Sequence, residues 1–171
     1  MSSMEERHRV CFVDTNIFVD LDNGGVGNHL FELQYQFSST DLALHEATSV
    51  DVETRSHPNL TVRSFSAEEL IVMFHMRSQT PTLSVADMSL LYVCLEEKVP
   101  LLTGDAALRK YAESKGVEVH GLLWVLDELV TSEVLRPGIA ADVLERICDF
   151  GSFLPVNECT RRLKKWRHAE G

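Results

Sequence analysis

Long apolar runs are missing from this chain. Nowhere do the roughly 18 consecutive apolar residues that a membrane-spanning helix requires occur. The charged opening Met1–Arg9 leads into only the short apolar stretch Val10–Val13, too brief for the core of a secretory signal. A soluble, cytoplasmic protein without membrane contact is therefore expected. Cysteine is sparse: Cys11, Cys94, Cys148 and Cys159 lie far apart and form no CxxC pair. That excludes a disulfide scaffold and disfavours a structural zinc site, leaving buried free thiols as the expectation. Basic residues are also in deficit, with 16 Lys and Arg against 26 Asp and Glu and a net charge of −10. A surface that coats nucleic acid is disfavoured, because phosphate binding relies on clustered Lys and Arg. An enzyme whose acidic residues gather at a metal is not.

Internal repeats and low-complexity segments are absent too. At 171 residues, with 44 % hydrophobic and 25 % charged residues, the chain fits one globular domain spanning 1–171. Loop signals fall at Asn23-Gly24-Gly25, Ser56–Asn59, Arg77–Pro81, Arg136-Pro137-Gly138 and Gly151–Pro155. Between them, short apolar runs alternate with stretches of helical period. Strands are expected at Val10–Val13, Leu42–Leu44, Leu60–Phe65, Val99–Leu102 and Val117–Val119. Helices are expected at about Asn28–Phe37, Glu46–Arg55, Ala67–Met76, Val85–Glu97, Asp105–Lys115, Leu122–Thr131, Ile139–Phe150 and Glu158–Arg167. This rhythm means βαβ units, hence an α/β fold with a parallel sheet of about five strands between helical layers. The last three helices, with no strand after them, are expected to form an appendage packed on that sheet.

Ligands of an open parallel sheet bind beyond the carboxyl ends of its strands. The first expected strand ends in Asp14-Thr15-Asn16 and the fourth in Thr103-Gly104-Asp105. Asp87 stands in the first turn of the helix that feeds the fourth strand, and Asp51 in the helix after the second. Converging carboxylates repel one another, and a proton or a divalent cation must relieve that repulsion. An open all-oxygen site suits Mg²⁺ or Mn²⁺, which polarise phosphate and acidify water for in-line attack on a phosphodiester. Each residue also has a purely local reading. Asp14 suits a turn cap, Asp105 a helix N-cap, Asp87 a capping box with Ser84, and Asp51 an i,i+4 pair with Arg55.

Together these residues resemble the PIN-domain ribonucleases. Val13-Asp14-Thr15-Asn16-Ile17-Phe18 is similar to that family's first motif, and Leu44–Val52 (LHEATSVDV) to its second, whose acidic residue is usually Glu. Asp51 is assigned to that second position, with Glu46 and Glu53 as competitors. Ser84-Val85-Ala86-Asp87 resembles the third motif and Leu101–Leu108 (LLTGDAAL) the fourth. The resemblance covers roughly residues 9–130, leaving 135–171 as a C-terminal helical extension. It implies a Rossmann-like fold and metal-dependent endoribonuclease activity. Asp14, Asp87 and Asp105 would bind Mg²⁺ or Mn²⁺, Asp51 would position water, and Asn16 and Thr103 would orient the carboxylates. Many family members are VapC-type toxins, held by a small antitoxin and often dimeric, so an antitoxin partner and a homodimer are implied as well.

Other signals are weaker. Gly24-Gly25-Val26-Gly27-Asn28 lacks the Gly-Lys-Ser/Thr ending of a P-loop, and His45-Glu46 has Ser49 where HExxH needs its second His. Asn16 breaks the Asp-x-Asp pair of a haloacid-dehalogenase phosphatase. Arg161, Arg162, Lys164, Lys165 and Arg167 around Trp166 make the one basic patch. It reads as a solvated helix face, or else as an RNA-backbone contact with Trp166 free to stack. Two alternatives to the ribonuclease stand: a catalytically weak module that binds RNA or protein in the same crevice, and a metal-dependent phosphatase.

Overall fold

The computed structural model describes residues 9–171. The charged segment 1–8, on which part of the signal-peptide argument rests, lies outside the described residues. A five-stranded parallel sheet has the order β3-β2-β1-β4-β5. In chain order the elements are β1 (Arg9–Val13), α1 (Thr15–Asn23), a 3₁₀ turn (Gly27–Glu32), β2 (Tyr35–Thr40), α2 (Asp41–Glu46), α3 (Val52–Arg55) and β3 (Leu60–Arg63). There follow α4 (Ala67–Gln79), α5 (Val85–Glu97), β4 (Leu101–Leu102), α6 (Ala106–Ser114), β5 (Val119–His120), α7 (Leu122–Thr131), α8 (Pro137–Asp149) and α9 (Val156–His168). The expected α/β architecture is the one observed. Among the described residues no helix is long and apolar enough to cross a membrane.

Helices cover both faces of the sheet. One apolar cluster joins Cys11, Val13 and Phe37 of the strands to Ile17, Phe18 and Leu21 of α1, Leu126 of α7, Leu144 of α8 and Trp166 of α9. The other joins Phe12 and Leu101 to Met88 and Leu91 of α5 and Leu108 of α6. The C-terminal helices thus share the first cluster with β1 and β2. Since α5 is apolar nearly all round, with Ala86, Met88, Leu90, Leu91, Val93 and Cys94 buried, it is the central helix of its layer. Leu91→Ala should therefore lower stability by about 2–5 kcal/mol, read as a fall in the urea midpoint at unchanged slope.

Two regions depart from the expected elements: Thr15–Asn23 forms helix α1, where no helix was expected, and the stretch 28–55 is divided differently. Leu42–Leu44 belongs to α2 and not to a strand, and the helix expected over Asn28–Phe37 is replaced by the 3₁₀ turn Gly27–Glu32 and the start of the second strand, Tyr35–Thr40. Of the helix expected over Glu46–Arg55 only α3 at its end is helical, with a loop between it and α2, which ends at Glu46. The cause is tertiary. Ser38, Ser39 and Thr40 are buried polar residues of a central strand, and no apolar pattern marks them. Two of the hydroxyls find partners only in the folded chain: Ser39 Oγ donates to the Val13 carbonyl at 2.8 Å, and Thr40 Oγ1 lies 2.6 Å from Ser89 Oγ. Thr40 Oγ1 also accepts the Ala43 amide at 3.1 Å, which starts α2 directly where the strand stops.

Candidate active site at the strand ends

The strand order reverses between β1 and β4, so the crevice of this sheet opens at their carboxyl ends. The Asp14 amide bonds the Leu102 carbonyl at 2.8 Å and the Thr103 amide bonds the His120 carbonyl at 3.0 Å, which locks the exits of β1, β4 and β5 together. Helices α1, α2, α6 and α7 begin within a few residues of the strands they follow. Their N-termini therefore surround the same edge and supply it with positive potential.

Asp14 forms the floor of the crevice. It is only 8 % exposed. Its Oδ2 accepts from Thr103 Oγ1 at 2.7 Å, and the same hydroxyl oxygen accepts the Asp105 amide at 3.0 Å. Burial raises the Asp14 carboxyl from 3.8 to about 6, aided by repulsion from Asp87 and Asp105 and opposed by the Thr103 hydroxyl. Removing that hydroxyl in Thr103→Val should push Asp14 higher still. The acid limb of any activity that needs ionised Asp14 then moves to higher pH, a displacement that a pH–rate profile reads directly.

Asp87 is half-buried and sits at the third position of α5. Its Oδ2 accepts the Ser84 amide at 2.9 Å while Ser84 Oγ accepts the Asp87 amide at 3.0 Å, a full capping box. Burial raises its carboxyl, and Asp105 and Glu46 raise it further. Asp105 is exposed at the rim, where its Oδ1 caps α6 by accepting the Leu108 amide at 2.7 Å. The local and the functional readings of these residues are therefore compatible: the caps hold the carboxylates in place and leave them facing one another. Asn16 Oδ1 accepts the Gly104 amide at 3.1 Å, fixing the turn that presents Asp105.

Asp51 is not brought to this cluster. It is the exposed N-cap of α3, its Oδ1 taking the Glu53 amide at 2.8 Å and its own amide bonding Asp22 Oδ2 at 3.3 Å. Glu46 stands nearer, at the end of α2, with Oε2 3.4 Å from Ser84 Oγ. The break between α2 and α3 decides this placement, and an unbroken helix would have hidden it. Glu53 stays on α3 with Asp51.

The α9 basic residues are largely occupied. Arg162 holds Asp127 at 2.6 Å and Glu158 at 2.9 Å, Arg161 holds Glu158 at 2.6 Å, and Arg167 holds Asp142 at 2.7 Å. Among the described residues Lys164 and Lys165 make no ion pair. Trp166 is core, 2 % exposed, and has no face free for stacking on a base.

Whether these donors suit a hard cation follows from their chemistry. They are all carboxylate oxygens, and among the described residues no Lys or Arg forms an ion pair with Asp14 or Asp87. Among the described residues no three His, Cys, Asp or Glu side chains are grouped so that one ion could be held by all of them. The set therefore does not make an all-protein cage. It fits the mode usual for Mg²⁺, in which one or two carboxylates share the ion with water and substrate phosphate.

A nuclease-like α/β fold with carboxylates at its switch point is the class that this architecture defines. A family model described as a PIN domain matches residues 13–168, nearly the whole chain and through the last helix, and the chain belongs to that PIN-domain family. PIN domains are in general nucleases. Among solved structures, a PilT N-terminus domain protein from the hyperthermophilic archaeon Sulfolobus solfataricus P2 is similar over 69 % of this chain and 91 % of its own, with 17 % identity and a TM-score of 0.48. No curated protein matches the chain.

Proposed function

We propose that this protein is a Mg²⁺- or Mn²⁺-dependent endoribonuclease whose active site is the crevice at the ends of β1 and β4. The observation that carries the reading is Asp14: a buried carboxyl raised to about 6, faced by Asp87 and Asp105. A protein does not gain stability by burying an acid beside two others, so the arrangement calls for a positively charged occupant.

Asp14, Asp87 and Asp105 would hold the ion between them, not all at once, with Thr103 keeping Asp14 aimed and Asn16 keeping the Asp105 turn in place. When bound, the ion supplies a Lewis-acidic contact to a phosphate oxygen and acidifies water. Glu46 would position water at the rim, the role the resemblance gave to Asp51, because it lies beside Ser84 and Asp87 whereas Asp51 caps α3 with its amide on Asp22. The helix N-termini around the crevice favour the phosphate backbone despite the net charge of −10. The wider reading, a toxin held by a small antitoxin and acting as a homodimer, comes from the family resemblance. It is tested by growth arrest on expression alone.

The decisive assay is cleavage of a mixed structured and single-stranded RNA pool with Mn²⁺, comparing the wild type with Asp14→Asn, Asp105→Asn and Glu46→Gln. Cutting should vanish in the two Asp variants and fall at least tenfold in Glu46→Gln. Equal cutting by all four proteins refutes the site. Binding of RNA with no cutting by any of them marks a binding module, and turnover of a small phosphomonoester alone marks a phosphatase.

A further inference from the structure

Two cysteines far from the crevice lie together in the C-terminal hairpin. Helices α8 and α9 pack antiparallel, and three contacts independent of the thiols set their register. The Gly138 amide meets Glu170 Oε1 at 3.0 Å, and Arg167 meets Asp142 at 2.7 Å and Glu145 at 3.0 Å. Continued toward the turn, this register sets the last turn of α8, with Cys148, across from the first turn of α9, with Cys159. Burial raises the Cys159 thiol there, and the neighbouring Cys148 raises it further. Both are free, Cys148 exposed and Cys159 buried. Gly151, at φ +93°, makes the turn between the helices, a conformation that other residues adopt only with strain.

The remaining cysteines differ. Cys11 and Cys94 are buried in the sheet and in α5, and burial raises both thiols strongly, Cys11 to about 12. Such thiols are inert. Only the Cys148–Cys159 pair combines an exposed thiol with a second thiol beside it, the arrangement of an attacking and a resolving cysteine.

We propose that Cys148 and Cys159 form a reversible intramolecular disulfide, making the α8–α9 hairpin a thiol-oxidation site of this protein. With a small-molecule disulfide such as oxidised glutathione, the Cys148 thiolate attacks one sulfur and releases one glutathione thiol. The Cys159 thiolate then attacks Cys148 Sγ of the mixed disulfide and releases the second. The two protein thiols lose two electrons and two protons in total, and the small disulfide takes up both pairs. The bond ties the hairpin whose turn reaches α1, where Ser152 Oγ donates to Asp20 Oδ1 and Arg146 Nη1 donates to the Gly24 carbonyl at 2.9 Å. Oxidation therefore stiffens the end of α1 opposite Asp14. The proposal stands whether or not the crevice cuts RNA.

The test treats the full chain with glutathione redox buffers, alkylates the remaining thiols, and maps them by peptide mass spectrometry. A Cys148–Cys159 disulfide reversed by dithiothreitol is expected, together with a melting temperature raised by roughly 5–10 °C. Cys148→Ser should leave Cys159 unmodified and remove the shift. Glutathione retained on Cys148 as a stable adduct, a bond between Cys148 residues of two chains, or alkylation of both thiols unchanged would each overturn the proposal.

Discussion

Asp14→Asn should make the protein more stable at neutral pH while removing its cleavage activity. In the folded state the Asp14 carboxyl is raised from 3.8 to about 6. Between about pH 4 and pH 6 the unfolded chain has released a proton that native Asp14 still holds. The native state then binds more protons, and stability falls as pH rises through that window. Above pH 6 the loss is complete, and at about 1.4 kcal/mol per tenfold change in proton affinity it amounts to up to about 3 kcal/mol. Asn has nearly the same shape, still accepts from Thr103 Oγ1 and carries no charge to desolvate. The variant should gain most of that energy at pH 7.5, gain little at pH 4, and show a flatter stability–pH curve. Urea titrations at the two pH values measure this. A variant less stable than the wild type at pH 7.5 would mean that the Asp14 charge is already compensated within the chain.

The second large effect is the response to divalent cations. If mutual repulsion among Asp14, Asp87 and Asp105 is what Mn²⁺ or Mg²⁺ relieves, the wild type should be stabilised by about 2.7 kcal/mol at a hundredfold excess of metal over its dissociation constant. In thermal melts this is an upward shift of roughly 5–10 °C. It should disappear in Asp14→Asn and persist in Asp51→Asn, whose side chain caps α3 away from the cluster. Equal shifts in Asp14→Asn and the wild type would place the metal elsewhere. Loss of the shift in Asp51→Asn would return Asp51 to the site.

Both expectations rest on residues that could be read from the chain before any coordinates. Asp14-Thr15-Asn16 and Thr103-Gly104-Asp105 are short signals, yet each follows an apolar run, so their place at strand ends follows from sequence order; the helix α1 that opens at Thr15 was not expected. Ser84 and Asp87, three residues apart at a helix start, are legible for the same local reason. The second acidic position was not legible. Glu46, Asp51 and Glu53 lie within eight residues, and the single helix expected over Glu46–Arg55 carries all three. Only the break after α2 separates them, and it follows from the position of β2. That strand was itself missed, because Ser38, Ser39 and Thr40 carry the polarity of a loop. Ser39 and Thr40 can be buried because the Val13 carbonyl and the Ser89 hydroxyl satisfy their hydroxyls from distant parts of the chain.

The basic patch teaches the same lesson from the opposite side. Arg161, Arg162 and Arg167 are conspicuous in the sequence, but their carboxylate partners lie on the same helix, on α7 and on α8, and pairing spends most of their charge within the fold. Trp166 beside them is buried by the packing of α9 against the first core cluster.

By itself the sequence determined what local chemistry can carry: the α/β rhythm, the caps of α5 and α6, the family motifs, and the places of Asp14, Asp87 and Asp105 at a strand end or a helix start. The tertiary structure alone decided which carboxylates face one another, which arginines are already paired, and which two cysteines meet. Most of those contacts join different elements, and they are set by the strand order β3-β2-β1-β4-β5 and the register of the last two helices. No one-dimensional spacing encodes them, because side chains distant in sequence become neighbours only once apolar burial has brought their elements together.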